Sequence, residues 1–191
     1  MGLPLWFSED ESKNDVPNIS IVANTTGLDV TINAEVQTSQ KVMLDRIRTN
    51  LSEFNRLLAD HGKLWLKTYL KYEHQRNTFH WILADLKSPG EFDGDAILQI
   101  RHKHEKAFKG ERDMWLQNII CGNKEITDGQ INHLWKMNKR LNLAFRLVES
   151  FQKDAALWSL QPKEQVYEIV SAVQRMKALT DFFVRYNQAA G

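Results

Sequence analysis

ISIVANTTGLDVTINAEVQ, residues 19–37, sets the first expectation for the fold. From Leu28 onward Leu28, Val30, Ile32, Ala34 and Val36 are apolar, and Asp29, Thr31, Asn33, Glu35 and Gln37 between them are polar. A strand turns successive side chains to opposite faces, so strict alternation predicts a half-buried strand. Ile19, Ile21 and Ala23 alternate on an earlier arm, and Asn24-Thr25-Thr26-Gly27 supplies a turn, with Gly27 available for a positive φ. Residues 18–37 therefore read as a β-hairpin, rich in the β-branched residues that suit a pleated surface.

Residues 1–17 form a tail that opens apolar, with Leu3, Leu5, Trp6 and Phe7, and then turns acidic before Pro17. After Ser39, a candidate N-cap, the spacing predicts helix. Met43, Ile47, Leu51, Phe54, Leu57 and Leu58 recur at three- and four-residue steps. Gly62 either ends this helix or weakens one continuous rod, and Leu66, Tyr69, Leu70, Phe79, Leu83 and Leu86 continue the helical period. KSPGEFDGD, 87–95, is a break, followed by a third helix over about 95–120. A fourth helix carries Ile131, Leu134, Leu141, Phe145 and Val148, and Pro162 opens the last. Short loops between long amphipathic helices predict a mainly α fold: an antiparallel bundle of four to five long helices with an N-terminal β-hairpin. The chain then divides into a tail (1–17), the hairpin (18–37) and a single α-helical domain (38–191).

The chain has 191 residues, 42% of them hydrophobic and 26% charged, which fits one globular domain with its own core. With 25 basic and 24 acidic side chains the net charge is +1, so no global field favours nucleic acid or membrane, and any electrostatic case is local. The single cysteine, Cys121, allows no intramolecular disulfide and no cysteine-rich zinc site. No run has the length of a membrane span, and the N-terminus lacks the basic start and apolar core of a signal peptide. These features predict a cytosolic protein.

No constellation of residues carries an evident chemistry. None of the six histidines has Glu three residues before it, as a di-metal bundle requires, and no His-x-x-x-His pair occurs. Nucleophile elbows and glycine-rich phosphate loops are absent as well. The reading is a non-enzymatic protein with no metal and no cofactor.

Two surfaces invite partners. An isolated hairpin is marginal in water and has two open edges, so residues 18–37 either lie on the bundle or pair with another strand, a second copy in a homodimer being one form. Leu5, Trp6 and Phe7 in the tail, with Leu28, Val30 and Ile32 on the hairpin, are the candidate partner-binding residues. The first expectation is therefore an interaction or assembly protein that docks or oligomerises through tail and hairpin. The alternative is a nucleic-acid-binding accessory protein. His133, Lys136, Lys139, Arg140 and Arg146 lie in an acid-free stretch that reads as one basic helix face, and such cations supply phosphate contacts. A helical-bundle metal or small-molecule binder is the third.

Overall fold

A computed structural model of the chain describes residues 4–7, 17–24, 26–34, 37–73, 79–110, 114, 141–152 and 156–185. Six strands and four α-helices are present among them. In chain order they are β1 (Pro4–Phe7), β2 (Asn18–Asn24), β3 (Gly27–Asn33), α1 (Gln37–Thr49), α2 (Leu51–His61), β4 (Trp65–Glu73), β5 (Phe79–Lys87), α3 (Gly94–Gly110), β6 (Leu141–Gln152) and α4 (Pro162–Val184), with a 3-10 turn at Ala156–Ser159 before α4. The strands form one antiparallel sheet in the order β1-β2-β3-β6-β4-β5.

The fold is thus not a helical bundle. Residues 65–87, expected as helix, are the hairpin β4–β5, and the predicted fourth helix over 131–148 runs into strand from Leu141. In LNLAFRLVESFQ, 141–152, apolar residues at three- and four-residue steps suggest helix. Yet Leu141, Leu143, Phe145, Leu147 and Phe151 also alternate, and burial between two neighbouring strands selects the two-residue period. WLKTYLKYE behaves likewise: aromatic and Thr side chains fit a pleated surface, whereas a helix would crowd them. Where the chemistry is unambiguous the expectations hold. The hairpin forms with Asn24 opposite Gly27. Pro162 opens the last helix. Gly62 ends α2, taking a left-handed conformation (φ 64°) from which its N–H reaches the Leu58 carbonyl at 3.1 Å.

The hairpin that looked like an appendage is internal to the sheet. On one side Leu5 and Phe7 of β1 lie opposite Ile21 and Ile19; on the other, Ile32 and Val30 lie opposite Leu147 and Glu149 of β6. β6 in turn pairs with β4, Leu147 opposite Leu66. Ile19, Ile32, Leu147 and Leu66 therefore form one row across four strands, all buried. Helices cover this face. Met43, Ile47, Phe54, Ile97, Met176 and Phe183 complete the core. Phe54 of α2 meets Phe182 and Phe183 of α4 at ring-centre distances of 5.5 and 5.8 Å, which ties those helices together.

The opposite face of the sheet carries polar side chains that bond to one another. Asp29 accepts from Lys67 at 2.9 Å and from the Ser150 hydroxyl, linking β3, β4 and β6. Arg146 donates to Asn33 at 2.9 Å and lies 5.5 Å over the Tyr69 ring.

Gln40 completes the sheet where β3 leaves β6. Its buried amide donates to the carbonyls of Ala34 (2.9 Å) and Phe145 (3.2 Å), and its Oε1 accepts from the Phe145 N–H (3.1 Å). A side chain on α1 thus supplies the hydrogen bonds a neighbouring strand would otherwise give Phe145. Gln40→Leu should cost about 2 kcal/mol or more, since it orphans the backbone groups of a buried strand; urea unfolding measures it. Gly27 is a second fixed point. Its φ of 148° disfavours any side chain, and a Cβ there would stand 2.1 Å from the Phe151 carbonyl oxygen on β6. Gly90 also has positive φ (81°) but has open space around it. In the same assay Gly27→Ala should cost about 2 kcal/mol or more, and Gly90→Ala only the backbone strain of roughly 1 kcal/mol.

Candidate functional site

Glu149 breaks the apolar pattern of β6. Its register neighbour on β3 is Val30, and Val30 pairs with Ile21 on β2, so its side chain enters the helix-covered core beside two apolar ones. Only 4% of it is exposed. Two nitrogen-bearing side chains reach it, one from α4 and one from α2. Arg175, on α4, donates through Nη2 to Oε1 at 2.5 Å and through Nε to Oε2 at 3.3 Å. His61, the last residue of α2, brings Nε2 within 3.3 Å of Oε2, with its side chain 2% exposed. The imidazole is close to the carboxylate but badly aligned, so neither ring nitrogen makes a hydrogen bond of good geometry.

Burial dominates the behaviour of His61 and pushes its pKa below the ordinary imidazole value. Glu149 pulls the other way, as does the backbone carbonyl of His61 itself, whereas Arg175 and Lys63 reinforce the lowering. At neutral pH the cluster is therefore a neutral imidazole beside a carboxylate–guanidinium pair. His104, buried on α3, is lowered for the same first reason, opposed by Asp85 of β5 and assisted by Lys103 and Arg101.

What this arrangement can do is hold three elements at one point: α2, β6 and α4 converge on one carboxylate. Substrate chemistry would need access, and only Arg175, with about a third of its side chain exposed, touches water. Glu149 is visible in the sequence only as a charge in the apolar register of Leu143, Phe145, Leu147 and Phe151, which a helical reading of the segment hides. His61 and Arg175 carry no local pattern at all.

A groove of about 300 Å3 separates α1 from α3, floored by Leu44 and Leu98. Both of its arginines are paired within their own helices: Arg48 with Asp45 and Arg101 with Glu105, each at 2.7 Å. Among the described residues no group of three or more His, Cys, Asp or Glu side chains is placed to hold a metal, and no helix is long and apolar enough to cross a membrane.

The sequence-selected residues fall in different places. Val30 and Ile32 are fully buried under the helices, and Leu28 is half-buried against the same core. Leu5, Trp6 and Phe7 belong to β1, paired with β2. Arg146 lies on a strand, engaged with Asn33, so it cannot share a helix face with the residues before Leu141. His133, Lys136, Lys139 and Arg140 lie outside the described residues.

Among the described residues the densest apolar exposure is elsewhere, at the start of α4. None of residues 162–171 is buried; the buried residues of this helix begin at Ala172. Tyr167 is 70% exposed, Val166 60% and Val170 46%. Trp158 and Leu160, just before the helix, extend the ridge. The Trp158 indole is held in place by donating to the Gln152 carbonyl at 2.5 Å, and the helix start is fixed by the Glu164 carboxylate accepting from the Gln161 N–H at 3.0 Å.

No known protein family matches the chain, and neither a curated protein nor a solved structure resembles it.

Arg175→Met should destabilise the fold by about 3 kcal/mol, because it strands the buried Glu149 charge; the value sits at the low end for a broken buried pair since Arg175 is partly wet. The double variant Glu149→Leu with Arg175→Met should recover most of that loss, since no buried charge then remains. Paired urea titrations at pH 7.5 measure both.

Proposed function

We propose that this chain is a non-enzymatic, cytosolic interaction protein whose contact surface is the first half of α4. One observation carries the reading: Val166, Tyr167 and Val170 form an exposed apolar stripe on a helix end that has no buried residue of its own. Residues three and four apart share a helix face, so these three make a continuous ridge. A convex amphipathic ridge is the complement of an apolar groove on another protein, the helix-in-groove mode of recognition. Tyr167 and Trp158 supply the amphipathic aromatic surface that anchors such contacts. Lys163 stands against two acids in these turns, Glu164 and Glu168, a balance that favours an apolar protein partner over a phosphate backbone.

This places docking on α4 instead of the tail and hairpin. The hairpin spends both edges inside its own sheet, on β1 and β6, and its apolar residues under its own helices. The β5 edge is a poor alternative, because the Leu86 N–H is taken by the Asp85 carboxylate at 2.8 Å and Lys87 stands beside it.

A photo-crosslinking residue placed at Tyr167, and at the exposed Glu53 of α2 as control, tests the surface in cells. The expected result is a discrete protein adduct at 167 that Val170→Asp abolishes, with none at 53. Absence of an adduct at 167, or equal labelling at both positions, would overturn the reading. An adduct of twice the chain's mass would make the occupant a second copy and overturn the groove partner.

A further inference from the structure

We propose that His61, Glu149 and Arg175 form an acid-sensitive latch: protonation of His61 sets a second cation against Glu149 and weakens the tie that Arg175 makes between α4 and β6. The inference is independent of the docking surface above.

Its basis is the shared oxygen. Glu149 Oε2 receives Arg175 Nε and faces His61 Nε2, both at 3.3 Å, while Oε1 holds Arg175 Nη2. With the imidazole neutral, Arg175 has the carboxylate to itself. A proton on His61 turns Nε2 into a charge-assisted donor to the same oxygen, and such bonds are roughly twice as strong as neutral ones. Arg175 is then met by a competitor and by a like charge in a site that water barely reaches. The cluster passes from balanced to net positive, and Lys63, just beyond α2, adds to the excess. Those are the charged groups facing His61 from β6, α4 and the segment after α2; no acid besides Glu149 is among them.

Arg175 is the element most able to yield. A third of its side chain already meets water, so it can swing outward, whereas His61 is enclosed at the end of α2. Ala172, Met176 and Leu179 keep this stretch in the core and Phe182 and Phe183 anchor it against Phe54, so release at 175 loosens α4 locally around Arg175 without detaching it.

The sign of the linkage follows from His61 being harder to protonate when folded. The unfolded chain takes up the proton near pH 6.5, the folded chain only lower. The stabilising contribution is complete above about pH 6.5 and is lost as pH falls toward the lowered folded value. Each such histidine raises the unfolding equilibrium constant by up to tenfold per pH unit across that window. His104 contributes a second, separate increment on α3.

The test combines three readouts on the full chain between pH 8 and 5. First, the His61 ring resonance, assigned by nuclear magnetic resonance, should titrate below pH 6.5; a midpoint at or above 6.5 overturns the latch, and no variant is needed for this. Second, His61→Phe should flatten the pH dependence of the urea-derived unfolding constant by up to tenfold per pH unit relative to wild type. An unchanged slope overturns the proposal. His61→Gln serves where the Phe variant does not fold. Third, hydrogen exchange corrected for its intrinsic pH dependence should accelerate at 172–179 in the wild type as pH falls, ahead of α1 and α3. Uniform acceleration over all helices would mean that acid unfolds the chain globally and no latch exists.

Discussion

β6 joins the two halves of the sheet: residues 147–152 pair with β3 and residues 141–148 pair with β4, the two ladders overlapping at Leu147 and Val148. Residues 27–32 and 65–72 are thereby joined through residues 141–152, so the sheet cannot form from either hairpin alone. Beside Phe145, where β3 is absent, the amide of Gln40 supplies the hydrogen-bond partners. Contacts this distant in sequence make for slow folding, because loop closure precedes the reward of pairing.

That central strand also explains why one carboxylate can matter. Glu149 lies on the same strand face as Leu147 and Phe145, two and four residues before it, and so must enter the core wherever the register is kept. A one-residue slip would move Glu149 to the other face but would also turn Phe145 and Leu147 away from the helices. The register wins because several apolar residues outweigh one charge, and the charge is then answered by Arg175. Such a buried pair adds little net stability compared with an apolar substitute, but it penalises any arrangement that separates the partners. The specificity falls on the docking of α4, the helix with the weakest hold at its own start.

How much of this was legible beforehand depends on whether a residue announces its conformation locally. The alternation from Leu28, the glycines at 27 and 62 and the proline at 162 did, and the structure follows them, although the strand stops at Asn33, and Gln37, read as the end of the hairpin, opens α1 instead. Residues 65–73 and 141–152 did not. Leu66 and Leu70, or Leu141 and Phe145, are four apart and satisfy a helix face, while the same segments alternate and satisfy a strand. What decided between them was a partner strand far away in sequence, which no window of a dozen residues contains. The same distance hid the cluster: His61, Glu149 and Arg175 are separated by 88 and 26 positions and share no motif.

The two ends of α4 illustrate how function can sit beside structure without being part of it. Its second half is spent on the core, where Ala172, Met176, Leu179, Phe182 and Phe183 repeat at helical spacing. Its first half repeats the same spacing with Val166 and Val170, which are exposed while Ile169 beside them packs on the core. A helix that merely needed to reach the core would have no use for apolar residues there, since each exposed one weakens solubility without adding to packing. Capping by Glu164 and Pro162 nevertheless keeps the protruding turns ordered. Order without packing is what a docking element requires, because a helix formed in advance spares a partner the entropy of folding it. The latch at Arg175 lies at the boundary between the two halves, where a change in its hold would alter the helix that presents the ridge while leaving the aromatic anchor at Phe54 intact.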